Sequence, residues 1–489
     1  MPQRPFSRAQ VFLIPPSLDD WLSADHPARF VAVLLDELDA ATWQELGIDR
    51  SPAALGSPRY APEALLGIWV YGFMSGLRSA RGLEAACRDQ VPFRWLSGNQ
   101  TPDHNTLWRF YQAHRTKLRV LLRRTVEIAV TAGLVDWALQ AVDGTKLAAN
   151  ASVTRSLSEA ELRALLARTD AAIAALEDAQ VATEDDGPPA LPPGMRAAEQ
   201  LRRQVTAALA AVQAPDGPAK ANLSDPEARL MKTRQGITPG YNAQAAVVAV
   251  PLGPGVPAGR LITAAEVTAR AHDHGLLAPM IADAAALSGQ HPVVTVADAG
   301  YHDAASLAAC AELGAPIAVP EQRHVGGPPD AAARFPRTDF AYDAARDTYT
   351  CPTGSTLAYH GEKRGSSGRV LRLYRADAAG CQGCARKAEC TTAPARSLAV
   401  SPDEAQVLAH RRWMTSEPAQ TASRQRGRLI EGVFGTLKER HRGRRVLLRG
   451  LRNVQAEWSL LAAAFNLRTL VRWWQATGSP DHLPGGAAG

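Results

Sequence analysis

Trp137-Ala138-Leu139-Gln140-Ala141-Val142-Asp143-Gly144 is where the chain changes its period. Before it, from His26 to Leu134, apolar residues recur at three- and four-residue spacing, as in Phe30-Val31-Val33-Leu34-Leu35 and Leu118-Leu121-Leu122-Val126, which predicts helices throughout. The run Ala138–Asp143 is too short for that pattern and reads instead as a buried strand ending in a carboxylate. A second run, Val293-Val294-Thr295-Val296-Ala297-Asp298, has the same form and is followed by Ala299-Gly300. Between them Tyr241–Val250 and Leu261–Val267 carry strand signals, a helix is expected near Gly275–Leu287, and another at Ala304–Leu313 precedes a fifth strand at Pro316–Val319. Strands and helices in that order predict a mixed α/β sheet.

Working outward, the expected organisation is a helical amino-terminal domain over residues 1–136 and a core over 137–339. A helical hairpin interrupts the core within 155–220, its helices Ser158–Leu176 and Met195–Val212 flanking the acidic Gly/Pro loop Glu184–Gly194. A cysteine-bearing segment follows over 340–397, then a second part of the core over 398–475 with a long helix from about Thr421, and a Gly/Pro-rich tail over 476–489, expected to be disordered. Ser79–Cys87, the loop Leu96–Asp103 and a helix from Asn105 carrying Arg109, His114, Arg115 and Lys117 have the order of a helix-turn-helix reader, or of an ordinary helical bundle.

The chain has 489 residues, 46% of them hydrophobic, enough for several domains with buried cores. Its longest apolar stretch, Ala64–Leu77, is broken by Gly67, Gly72 and Ser75 and falls short of a bilayer span, so it is expected to be a buried helix. Nothing marks the chain for export, and a cytoplasmic, nucleoid-associated protein is expected. Net charge is only +6, but Ser423–Arg472 holds 12 Lys/Arg against 3 Asp/Glu, contributing +9 while the remainder sums to −3. Such a run is either a solvated helix face or a surface for phosphates.

Asp143 and Asp298 each close an apolar strand before a glycine-bearing turn. One such Asp alone is usually a turn former. Two on neighbouring strands would repel unless a divalent cation lay between them. Glu431 sits in Arg428-Leu429-Ile430-Glu431-Gly432-Val433-Phe434-Gly435-Thr436-Leu437-Lys438, at the edge of an apolar stripe expected from Ile430, Phe434 and Leu437. Lys438 lies seven residues on, about 10 Å along the same side of a helix. Oxygen donors of this kind favour Mg²⁺ or Mn²⁺, which in pairs clamp the attacking and leaving oxygens of a phosphodiester. No Gly-rich nucleotide loop, Gly-x-Ser-x-Gly or His-Glu-x-x-His pattern is present.

Of six cysteines, Cys87 and Cys310 fall in helical patterns as core residues. Cys351, Cys381, Cys384 and Cys390 include one Cys-x-x-Cys spacing and suggest a structural Zn²⁺ or another thiolate-bound metal, or else four unligated thiols.

Several segments together carry a resemblance. They are Tyr60-Ala61-Pro62-Glu63-Ala64-Leu65-Leu66, Phe93-Arg94-Trp95-Leu96 with Pro102-Asp103-His104, Val142-Asp143-Gly144-Thr145-Lys146, Asp225-Pro226 with Arg229-Leu230-Met231-Lys232, Gly240-Tyr241-Asn242-Ala243-Gln244, Ala297-Asp298-Ala299-Gly300-Tyr301, and Glu431 with Phe434-Gly435 and Lys438. In this order, from Leu13 to about Trp474, they resemble the DDE transposases of bacterial insertion sequences. The resemblance implies a ribonuclease H-like core behind the all-α amino-terminal domain, with the helical hairpin and the cysteine-rich segment as insertions. It further implies Asp143, Asp298 and Glu431 as the metal-binding catalytic set, and Lys438 as the lysine that contacts DNA near the cut. A tyrosine common in the family ahead of the Glu is missing between Thr421 and Glu431, and Arg424, Arg426 or Arg428 stands for its arginine. The implied reaction is cleavage at transposon ends followed by strand transfer, with Mg²⁺ or Mn²⁺ as cofactor. The implied partners are terminal inverted repeats and target DNA, contacted by Lys438, with a homo-oligomer assembled on the DNA and no membrane; Arg426, Arg428, Arg442, Arg444 and Arg445, in the basic run, are the further expected DNA contacts. A nuclease of the same fold without strand transfer, or a zinc-containing DNA-binding regulator, remain the alternatives.

Overall fold

The computed structural model describes residues 17–51, 59–181, 194–233, 236–321, 335, 337–364, 370–478 and 483. The amino-terminal region forms α1 (Pro27–Asp36), α2 (Ala40–Leu46), α3 (Pro62–Ser75), α4 (Ala80–Asp89), α5 (Val91–Leu96), α6 (His104–His114) and α7 (Arg119–Thr131). Then come β1 (Asp136–Ala148), β2 (Ser156–Ser158), α8 (Glu159–Val181), α9 (Met195–Gln213), β3 (Lys220–Asn222), β4 (Arg229–Thr233), β5 (Gly236–Val250) and β6 (Gly259–Thr268). They are followed by α10 (Leu277–Ser288), β7 (Val294–Val296), α11 (Ala304–Glu312), β8 (Ile317–Ala318), β9 (Ala341–Asp343), β10 (Thr348–Thr350), β11 (Thr356–Arg364) and β12 (Val370–Ala376). The chain continues through α12 (Ala378–Gln382), α13 (Lys387–Cys390), β13 (Ser397–Val400), α14 (Glu404–Met414), α15 (Glu417–Glu439) and α16 (Leu451–Ala476). Two compact units result, one from residues 1–272, 280–292 and 427–489, the other from 273–279 and 293–426.

In the first unit the helix starts are set by short polar side chains that accept orphan backbone N–H groups. Asp39 accepts from Thr42 at 2.7 Å, Ser79 from Gly82 at 3.2 Å and Asp103 from Thr106 at 2.6 Å. The apolar stretch Ala64–Leu77 is a buried helix as expected: α3 buries nine residues, among them Trp69 and Phe73. Among the described residues no helix is long and apolar enough to cross a membrane. Between α4 and α6 the chain makes the extra helix α5, so the expected helix–loop–helix is a three-helix arrangement.

β5 is the spine of this unit's antiparallel sheet. β1 lies along one edge, and β4 and β6 follow one another along the other. The sequence reading ended the first strand at Asp143; in the structure β1 runs on to Ala148, with Asp143 opposite Ala245 and Leu147 opposite Tyr241. It continues because Thr145 and Leu147 keep the alternation of buried positions that pairing with β5 rewards. β6 would be an open edge, but α16 covers it with polar side chains that substitute for a neighbouring strand. Asn466 accepts from Ile262 N–H at 2.7 Å and donates to the Ile262 carbonyl at 2.8 Å. Gln455 accepts from Val267 N–H at 2.6 Å and donates to the Ala265 carbonyl at 2.9 Å. The hairpin of α8 and α9 closes over Leu162, Val205, Ala208, Ala221 and Leu223; most of its loop, residues 182–193, lies outside the described residues. Of the expected tail beyond α16, only Thr477, Gly478 and Leu483 are described.

In the second unit β7 and β8 pair in parallel, with α11 as the crossover between them. Where the sequence suggested only a cysteine-bearing segment, a five-stranded antiparallel meander forms in the order β13-β12-β11-β10-β9. Its core is Phe340, Tyr349, Leu357, Tyr374, Leu398 and Val400. The mixed α/β class read from the sequence is what the chain adopts.

Candidate functional site

Asp143 is half-buried on β1, its Oδ1 accepting from the N–H of Gly144 at 2.7 Å. Three residues on, Lys146 Nζ donates to the Ala271 carbonyl at 2.8 Å. Asp298 lies two residues past β7 and caps the short turn Ala299–Tyr301, accepting from Gly300 N–H at 2.8 Å. A Cβ on Gly300 would stand 2.9 Å from Asp298 Oδ1 and 3.3 Å from Asp273 Oδ2, so both carboxylates come close to the same glycine. Sequence reasoning missed Asp273; its only signal was its place in His272-Asp273-His274. Glu431 is exposed on α15, with its carboxylate folded back one turn toward Gly427, whose added Cβ would lie 3.3 Å from Oε1. The buried stripe of that helix is Leu429, Ile430, Val433 and Leu437. Phe434, expected in the stripe, is only half-buried and stacks on Trp458 at 6.5 Å, because the residue facing the core one turn before Leu437 is Val433.

Asp143 and Glu431 belong to the first unit and Asp298, with Asp273, to the second. Among the described residues no group of three or more His, Cys, Asp or Glu side chains is arranged to hold a metal ion. The carboxylates are hard oxygen donors of the kind divalent cations such as Mg²⁺ or Mn²⁺ take, and the backbone N–H groups of Gly144 and Gly300 orient two of them.

Behind the exposed arginines stands a buried clamp. After α15 the chain turns at Arg442, φ +54°, and meets the end of β1: Ala148 N–H donates to the Arg444 carbonyl at 3.1 Å and Val446 N–H to the Ala148 carbonyl at 2.9 Å. Glu457, 1% exposed, accepts from Arg78 Nη1 at 2.6 Å, from Leu447 N–H at 3.0 Å and from Leu448 N–H at 3.1 Å. Burial lifts the Glu457 carboxyl against the opposing pull of Arg78 and these N–H groups. Arg78 also donates to the carbonyls of Arg442 and Arg445. The loop is thereby held so that Arg442, Arg444, Arg445 and Arg449 project into solvent. Arg445 and Arg449 share an open groove with Arg155 beside Asn150 and Ser152. Of the other expected DNA contacts, Lys438 and Arg426 are half-buried and Arg428 is exposed; Arg426 belongs to the second unit. Trp458 and Trp474 are buried in the core.

The four clustered cysteines line one small cavity with Phe335, Thr353, Leu357 and Arg396. Burial pushes the Cys351 thiol up, but hydrogen bonds from Thr353 and Ser355 outweigh it and leave the thiol below its ordinary value. The Cys390 thiol is raised, chiefly by burial, with the other three sulfurs adding to the rise and Arg396 opposing it. Cys87 and Cys310 are buried in the helices where they were expected.

With this geometry in place, comparison with known families finds two matches. Residues 350–471 match the Transposase DDE domain, and residues 16–113 match the Transposase domain (DUF772). The class is therefore that of the transposases. Together the two matches indicate an insertion-sequence DDE transposase, a class that in general cleaves and transfers DNA. The DDE match contains Glu431, Lys438 and all four clustered cysteines, whereas Asp143 and Asp298 lie outside both matches. No curated protein matches the chain.

Proposed function

We propose that the protein is an insertion-sequence transposase in which Asp143, Asp298 and Glu431 together hold divalent cations, Mg²⁺ or Mn²⁺, at a ribonuclease H-like core. The observation that carries the reading is the DDE-domain match running through Glu431, joined to a carboxylate in mid-strand on β1. The antiparallel trio β6-β5-β1 and the parallel pair β7-β8 have the strand composition that such a core requires. When bound, the cations lower the cost of negative charge on the attacking and leaving oxygens. A water oxygen attacks phosphorus at the transposon end, the P–O3′ bond breaks, and the departing oxygen takes a proton as the new 3′ hydroxyl. That hydroxyl then attacks a target phosphodiester, forming one P–O bond as another breaks. The protein side chains orient and bind, and no covalent protein intermediate is formed.

DNA engagement divides by residue type. The exposed arginines of the 442–449 loop suit phosphates, whereas α6 exposes Asn105, Arg109 and Gln112 at helical spacing, side chains whose paired polar atoms match base edges. Transposon ends, target DNA and a homo-oligomer assembled on them are the proposed partners. The four cysteines are proposed to hold a structural metal, Zn²⁺ first, as all four line one small cavity.

Asp143→Asn, Asp298→Asn and Glu431→Gln should each keep binding to end-containing duplex and lose Mg²⁺-dependent cleavage by about a thousandfold or more, roughly 4 kcal/mol of barrier. Cleavage at wild-type rates by any of the three removes that residue from the set. Pre-cut ends supplied to the wild type should be joined to target DNA. Cleavage without joining would make the protein a nuclease.

A further inference from the structure

A second basic feature of the first unit gathers arginines from outside the Arg442–Arg449 loop. Between α3, α16 and the end of α15 is a cavity of about 360 Å³. Arg260 from β6, Arg440, and Arg468 and Arg472 from successive turns of α16 line it, alongside Tyr71, Ser75, Thr436 and Thr469, and no carboxylate is among the lining residues described. None of the four arginines makes an ion pair among the described residues. Three are oriented by backbone carbonyls instead: Arg260 Nε by Arg428 at 3.1 Å, Arg468 Nη1 by Met74 at 3.3 Å and Arg472 Nη2 by Pro257 at 2.8 Å. These bonds aim the guanidinium forks and neutralise nothing.

Collecting four like charges this way opposes folding. Arg468 and Arg472 stand four apart on one helix, where like charges repel. Burial lowers the proton affinity of Arg468, and the charge of Arg440 lowers it further. A carboxylate anywhere in the lining would relieve this, and none is there. The arrangement has the make-up of an anion site with its ligand supplied from outside: several planar forks, hydroxyls at Tyr71, Ser75, Thr436 and Thr469, and room for a tetrahedral oxyanion with its water.

We propose that this arginine-lined cavity binds a phosphate group, taken as a phosphodiester of duplex DNA. The site rests on the reading of the protein as a DNA-processing enzyme, to which it adds a phosphate anchor whose described lining holds no carboxylate. Arg468, half-buried, holds the phosphate at depth, while Arg440 and Arg472, both exposed, meet it at the mouth.

The test uses the full-length protein, a labelled 30-base-pair duplex of arbitrary sequence and buffer containing EDTA, so that binding is read without cleavage. Arg440→Gln, exposed and safe for folding, and Arg440→Gln/Arg468→Gln are compared with wild type over a range of NaCl. The slope of log affinity against log salt should fall by about 0.9 for each phosphate no longer held. Arg440→Lys/Arg468→Lys should restore most of the slope. Inorganic pyrophosphate should raise the melting temperature of wild type more than that of the double variant. An unchanged slope and unchanged duplex affinity in folded variants overturns the site while leaving the transposase reading intact. Pyrophosphate stabilisation lost in the double variant, with no binding of duplex by wild type, overturns the DNA assignment and the transposase reading together, and identifies a site for free phosphates.

Discussion

His441 sits at the point where α15 hands the chain to its basic loop, fully buried, with Nδ1–H donating to the Phe73 carbonyl at 2.9 Å and Nε2 buried without a partner. Burial pushes its pKa down to about 4; the bond to Phe73 opposes this, and Arg468, Arg440 and Arg78 add to it. An unfolded histidine titrates near 6.5, so between about 6.5 and 4 the unfolded chain binds a proton that the native one refuses. Stability therefore falls as pH drops through that window, by about 2 kcal/mol at pH 5. Urea titrations at pH 7.5 and 5.0 should show this loss in wild type and not in His441→Gln. An equal loss in both would show that the imidazole is not the group responsible. In the sequence His441 was one more member of a basic run. Its burial was illegible there, because the carbonyl it meets lies 368 residues away.

At the scale of elements, Arg78 and Glu457 hold the basic loop from two different helical regions. Removing Arg78 leaves the Glu457 carboxylate buried without its cation, and frees the carbonyls of Arg442 and Arg445. Arg78→Ala should cost about 3–5 kcal/mol of stability. It should also speed tryptic cleavage between Arg442 and Arg449; protection as complete as in wild type would mean that the loop is held by something else. Gly76 belongs to the same device: with φ +77° and the Arg440 carbonyl 2.6 Å from where a Cβ would stand, it admits no side chain. Helices and strands were largely readable because periodicity is local. Asp143 appeared as a strand-end residue only because the alternation after Gly144 is weak in sequence, whereas pairing with β5 carries the strand to Ala148. The five strands β9–β13 went unread because most span only a few residues, and their aromatic core of Tyr349 and Tyr374 assembles from separate turns of the chain.

At the scale of the whole molecule, metal content and thermal melting report on the cysteine cavity. If the cysteine cavity holds a metal, the purified protein contains about one equivalent of zinc, and Cys381→Ser/Cys384→Ser loses it. The variant's melting temperature should then fall. Metal-free wild-type protein with an unaltered melt would remove the thiolate site. Chelation should leave DNA binding in place and stop cleavage, since an arginine needs no cation to hold a phosphate.

Strand and helix periodicity, the lopsided charge of Ser423–Arg472, the cysteine spacing and the acidic positions 143, 298 and 431 were all legible in the sequence, because each depends on residues close together or on order along the chain. Tertiary structure alone decided which arginines face solvent and which surround a cavity, that Glu457 and His441 are dry, that Asp273 stands beside Asp298, and that Asn466 and Gln455 complete the sheet edge. The reason is that burial and charge compensation are set by groups hundreds of residues apart. Composition counts a charge, but only the fold assigns it a neighbour.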